Sequence, residues 1–150
     1  MPVEPIGLAK EEQLQIPLAG AGVECLVVSG YATFSPFPSD VNHWMGGDED
    51  DDAKAVPYTV HMTVGPTWLA VRDVSPIVSR AGYYHGNPDS ADQGGYEING
   101  CSWDTIGLPP PNTNLERIRL KVELSVRGGK AHRITHLAYH FVAVGTIGSA

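Results

Sequence analysis

From Leu115 to Val144 the chain alternates apolar and polar residues almost without a break. A period of two over that length belongs to β-strands with one face buried, not to helices. Ile118, Leu120, Val122, Leu124 and Val126 alternate with Arg117, Arg119, Lys121, Glu123 and Ser125. Further on, Leu137, Tyr139, Phe141 and Ala143 alternate with His136, Ala138, His140 and Val142. Gly128-Gly129 stands between the two runs and tolerates the positive φ of a tight hairpin turn. The pattern therefore predicts a long C-terminal hairpin with Leu120 facing Leu137 and Ile118 facing Tyr139. Its apolar side chains share one face, and its basic and imidazole side chains share the other. A slip of one residue would turn the apolar set outward, so the register is well specified.

The remaining segments read as further strands joined by turns. Residues 23–34 are rich in β-formers and nearly continuous in apolar character, which predicts a central strand covered on both faces. Val56, Tyr58, Val60, Met62 and Val64 alternate with Thr59, His61 and Thr63 as far as Gly65-Pro66, where the strand is expected to break. Shorter strands are expected over 68–74 and 76–80, and a strand bulged at Gly100 over 96–103. Residues 1–22 read as an arm, with one or two helical turns over 8–14 between Pro5 and Pro17. Seventeen Gly and twelve Pro suit many turns. The expected architecture is all-β: a single-domain antiparallel β-sandwich of jelly-roll-like kind over 23–150, with an extended N-terminal arm and the C-terminal hairpin.

Charge is segregated along the chain. Residues 1–110 carry four Lys/Arg against fifteen Asp/Glu, while 111–150 carry six against two, for a net charge of −7. That balance argues against a nucleic-acid partner. No apolar run is long enough for a transmembrane helix, so no membrane span is expected. The N-terminal residues lack the basic and apolar regions of a signal peptide, which gives cytoplasmic or particle-associated as the expected location. Cys25 and Cys101 each fall in an expected strand and read as buried thiols, a disulfide being disfavoured without a secretory signal.

Three constellations hold chemistry. His132, His136 and His140 recur at even offsets and are expected on one strand face, but four strand residues span about 13 Å, too far for two ligands of one metal. No metal is assigned there; a basic face responsive to pH is the reading that fits. The acidic run Asp48, Glu49, Asp50, Asp51, Asp52 lacks the spacing of a calcium loop. Docked on the basic face of Arg117, Arg119, Lys121, His136 and His140, within or between protomers, it would join the two charge anomalies into an interface. Trp44 in one loop and Tyr83, Tyr84 and His85 in another are candidates for ligand stacking, with lid-like burial over the ends of the sandwich as the plainer role.

No nucleophile elbow, zinc motif, P-loop or dinucleotide fingerprint is present, so no catalytic residue and no cofactor is assigned. The function expected is a non-enzymatic structural or assembly protein, a capsid, tail or surface-layer decoration domain whose partner is protein, itself or a larger particle. A small-ligand or carbohydrate binder using the loop aromatics is the alternative. A barrel cyclase or isomerase built around His61 is a weaker one, because the inner face of the expected hairpin is wholly apolar.

Overall fold

A chain of this size has a radius of gyration of about 15 Å, yet its longest strand would run about 95 Å if it were straight. The computed structural model, which describes residues 2–18, 22–84, 95–129 and 132–148, resolves the conflict by bending that strand. The strands are β1 (Gly7–Pro17), β2 (Glu24–Thr33), β3 (Met45–Gly46), β4 (Val56–Tyr84), β5 (Gly95–Gly107), β6 (Glu116–Arg127) and β7 (Arg133–Ile147). They form one antiparallel sheet in the order β1-β2-β7-β4-β6-β5, with β3 added to β7. No helix occurs among the described residues, and so none is long and apolar enough to cross a membrane.

β4 organises the sheet. Its first part, Val56 to Trp68, pairs with β6; its later part, Trp68 to Tyr84, pairs with β7. Register shifts at Val64/Thr67, Trp68/Ala70 and Val71/Asp73 mark bulges, which bend a strand and increase its twist. Gly65, at φ 79°, opens the bend. Gly65-Pro66, expected to end the strand, instead turns it. Trp68 sits fully buried at the corner, facing Glu116 of β6 and Ile147 of β7.

The sheet encloses one apolar core. Val60, Met62 and Val64 of β4 and Ile118 to Val126 on alternate positions of β6 meet Leu26, Val28 and Ala32 of β2 and Leu137, Tyr139, Phe141 and Ala143 of β7. Both apolar faces read from the C-terminal pattern are therefore inward. The hairpin is not formed: β6 and β7 do not pair, and β4 lies between them. Alternation fixes which face is buried but not which strand is the neighbour. β4 pairs with β6 along its first part and with β7 along its later part, and so occupies the edges that the hairpin would have joined.

Two further expectations are corrected. Residues 7–17 are neither arm nor helix but the edge strand β1, paired with β2 from Gly7↔Thr33 to Pro17↔Glu24. His132 does not share a face with His136 and His140. An extra residue at Thr135, seen as the shift between Gly82↔His136 and Tyr83↔Ile134, turns His132 inward, where it is 3% exposed. The bulge expected at Gly100 is present, between Ile98 and Gly100 of β5. Cys25 and Cys101 are free thiols on β2 and β5, strands that are not neighbours, and burial pushes the Cys101 thiol up.

Candidate functional site

The basic face expected of the C-terminal strands is partly paired within its own chain. Arg119 donates from Nε to Asp104 Oδ1 at 2.9 Å and from Nη2 to Oδ2 at 2.6 Å, a two-point grip between β6 and β5. Lys121 Nζ lies 3.1 Å from the same Asp104 oxygen. The hydrogen bond from Arg119, helped by Lys121, holds the Asp104 carboxyl down to about 2. His61, facing Lys121 across the sheet, has its pKa lowered by burial first and then by the Arg119 and Lys121 charges. Arg117 turns the other way and donates to the Gly65 carbonyl at 2.8 Å, bracing the β4 bend.

The acidic run is likewise satisfied locally. Asp48 Oδ1 accepts from the Asp50 and Asp51 amides at 2.8 and 3.0 Å, its Oδ2 lies 3.3 Å from Lys54 Nζ, and the Asp50 amide in particular holds its pKa down. Asp51 Oδ1 accepts from the Ala53 amide, and the Asp52 carbonyl accepts from the Gly128 amide at 3.0 Å. A Cβ on Gly129 would stand 2.8 Å from Asp52 Oδ1, so the run docks against the β6–β7 connection through backbone, not on Arg117, Arg119 and Lys121. No group of three or more metal-ligating side chains forms among the described residues.

The loop aromatics close one end of the sheet. Tyr83 and Met45 both pair with Ile134, from its two sides. The Tyr83 hydroxyl donates to the Arg127 carbonyl at 3.3 Å and meets His132 Nδ1 at 3.2 Å, while its ring lies 5.7 Å from that of Tyr96. Trp44 is half-buried with its indole laid across Gly46, where no Cβ would fit. Tyr83 thus ties β4 to β6 and to the segment before β7, while Trp44 packs locally. Tyr84 closes β4 opposite Arg133, but its side chain, and all of His85, fall outside the described residues.

What the structure brings together is a surface the charge and motif reading passed over. Facing residues of antiparallel strands point to the same side, so the outer face of β1, β2, β7 and the later part of β4 can be read in rows. One row is Ile16, Cys25, Val144 and Asp73; the next is Leu14, Val27, Val142 and Ser75. The third is Glu12, Ser29, His140 and Ile77, and the fourth Ala9, Tyr31, Ala138 and Ser79. A sheet with one solvated face should carry polar residues there. This one carries Leu14 at 61% exposure and Ile77 at 65%, with Ile16 and Tyr31 also exposed and Val27, Val142 and Val144 half-buried.

β1 makes the inversion plainest. Gln13 and Gln15 pair with the buried Val28 and Leu26 and so lie on the core side of the sheet, beyond the core's rim. Leu14 and Ile16 point outward. Had this strand only to finish the core, the opposite parity would place its apolar residues inward, since a one-residue shift exchanges the faces. The bulge at Lys10, whose φ is 54°, sets that parity and turns Glu11 in, where Oε2 accepts from the Tyr139 hydroxyl at 2.5 Å and the Gly65 amide at 3.2 Å. The outer-face signal was present in the sequence, in the near-continuous apolar run of 23–34 and the alternation of Leu14, Ile16 and Leu18. It needed β1 and β2 to be adjacent before it became a patch.

At the bulge the same face dips into a groove of about 390 Å³ lined by Lys10, Glu12, Ser29, Tyr31, Ser79 and His140 among others. Comparison with family models, with curated proteins and with solved structures found no match to this chain.

Proposed function

We propose that this is a non-enzymatic structural or assembly protein that packs against other copies of itself, building an oligomer or the shell or decoration of a particle. The single observation that supports the reading is the apolar outer face of β1, β2, β7 and the later part of β4. Leaving a Leu or Ile side chain in water forgoes about 1.5–3 kcal/mol each relative to full burial, and contiguous exposed apolar surface rimmed by polar residues marks an interaction site. Asp73, Ser75, Ser79 and Glu12 supply such a rim. In this reading the bent sheet is a single-domain, jelly-roll-like sandwich, supported by the core that the inner faces of β6 and β7 share. Its exposed layer is the contact layer, and the protein is particle-associated.

The charged patches play a smaller part in this reading than their segregation implied, because Arg119, Lys121 and Asp48 already have partners within the chain. The groove beside Lys10, Glu12, Tyr31 and His140 supports a second reading, a small polar ligand such as a sugar stacking on Tyr31. That site would replace the loop aromatics as the ligand-binding surface.

Native mass by light scattering after size exclusion tests the assembly reading. The expected species is a multiple of 16.1 kDa. Val27→Glu, which puts a charge at the centre of the outer face without touching the core, should lower that mass by removing face contact while the melting temperature of the fold is kept. A wild-type chain that is monomeric at high concentration would sink the assembly reading and leave the groove as the better-supported site.

A further inference from the structure

We infer that two copies of this chain join edge to edge through β1, antiparallel, with Leu14 of each copy facing Ile16 of the other, so that the two sheets become one. This rests on the assembly reading and goes beyond it by naming the strand, the partner and the register.

β1 has β2 on one side and no strand on the other among the described residues, which leaves a row of backbone donors and acceptors along its free edge. Such an edge is a template for another strand unless something blunts it. The opposite edge of the sheet is blunted: β5 carries the bulge between Ile98 and Gly100 and has Glu97 and Asp104 along it. From Glu12 to Ile16, β1 has no bulge, no proline, no glycine and no lysine. The bulge at Lys10 comes before this stretch, and Pro17 ends it.

The self-complementarity of this stretch points to a second copy as its occupant. Side chains that face each other across an antiparallel pair lie on one face, so a symmetric β1 pair must be centred on a residue. Centred on Gln13, it would set Glu12 against Leu14 and Lys10 against Ile16. Centred on Leu14, it would set Glu12 against Ile16 twice. Centred on Gln15, it sets Leu14 against Ile16 twice and Gln15 against itself, and Glu12 is carried out to Leu18 at the end of the ladder. Of these three registers only the last sets Leu14 against Ile16 and keeps the charges of Lys10 and Glu11 out of the ladder, with Glu12 at its end. It also makes the outer faces of both copies continuous, because Leu14 and Ile16 stand in the same rows as Val27 with Val142 and Cys25 with Val144.

Disulfide trapping reads the register directly. In a background of Cys25→Ser and Cys101→Ser, the variants Gln13→Cys, Leu14→Cys and Gln15→Cys are oxidised and run without reductant, and the mass of each is taken by light scattering before oxidation. Directly facing Cα atoms in an antiparallel pair are about 4.5–5.5 Å apart, inside the range a disulfide spans. Two residues off the axis on each strand, the separation grows to about 13 Å. Gln15→Cys is expected to give a covalent dimer, and the other two are not. Linkage through Gln13→Cys or Leu14→Cys instead would overturn the register. An oligomer that links at none of the three would overturn the Gln15-centred pair while leaving contact through the outer face. A monomer in all variants and in the parent would overturn both.

Discussion

At the residue scale, the β4 bend depends on Gly65, whose two backbone groups are held from opposite sides by charge. Its amide donates to Glu11 and its carbonyl accepts from Arg117, while the Phe141 ring tip would lie 2.9 Å from any Cβ added there. Positive φ alone costs an L-residue about 1–2 kcal/mol, and displacing a core phenylalanine adds to that. Gly65→Ala should therefore lower unfolding stability by about 2 kcal/mol or more in urea titration; an unchanged midpoint would show that the bend does not need glycine. The sequence marks Gly65-Pro66 as the end of a strand, whereas the structure makes it a bend within β4; the groups that hold the bend come from residues 11, 117 and 141, which no local pattern links. The pH response also belongs here. The folded state lowers the Asp104 pKa from 3.8 to about 2, so this group stabilises fully above 3.8 and its contribution is lost as pH falls towards 2. His61 is lowered from 6.5, so the unfolded chain takes up its proton first, and stability declines as pH falls below 6.5. Melting temperature should thus fall in two stages on acidification. Asp104→Asn should remove the lower stage, and a profile identical to that of the parent below pH 4 would contradict this account.

At the element scale, the C-terminal strands teach the most. The alternation of 116–127 and 133–147 located both strands and their buried faces, down to Ile118, Leu120, Leu137 and Tyr139. Gly128-Gly129, whose φ values of 108° and 79° do suit a turn, is what points to their mutual pairing in the sequence. Yet that segment leads from β6 over to β7 on the far side of β4 while receiving the acidic loop at Asp52. Cysteine pairs distinguish the two pairings on the solvent side, again with Cys25 and Cys101 replaced by serine. Thr59→Cys with Glu123→Cys should form an intrachain disulfide, because those residues face each other across β4 and β6. Lys121→Cys with His136→Cys, neighbours in a β6–β7 hairpin, should not. The reverse result would restore the hairpin. β1 is the complementary case. Its Lys, Glu and Gln content resembles a helical turn over a few residues, and only pairing with β2 makes it a strand, since β-propensity chiefly measures fit to neighbours.

At the scale of the whole molecule, the charges segregated along the sequence are partly brought together in space. The basic C-terminal third meets Asp104, and the acidic run meets Lys54 and the backbone of its own chain. Ion pairs between exposed charges are screened by salt, whereas burial of an apolar face is not weakened by it. The oligomer expected from the outer face should therefore keep its mass from low to high salt; dissociation by salt would return the contact to the charged patches. The sequence by itself determined that the chain is all-β and antiparallel, where most of its strands lie, and which side chains of β4, β6 and β7 enter the core. Those features follow from local periodicity, which each segment carries within itself. Tertiary structure alone decided which strands are neighbours, that β4 continues through its bend, and that β1 completes the sheet. It also decided that the apolar residues of β1, β2, β7 and β4 form one outward surface. These depend on which segments compete for the same hydrogen-bonding edge, a choice made between distant parts of the chain and written in no one of them.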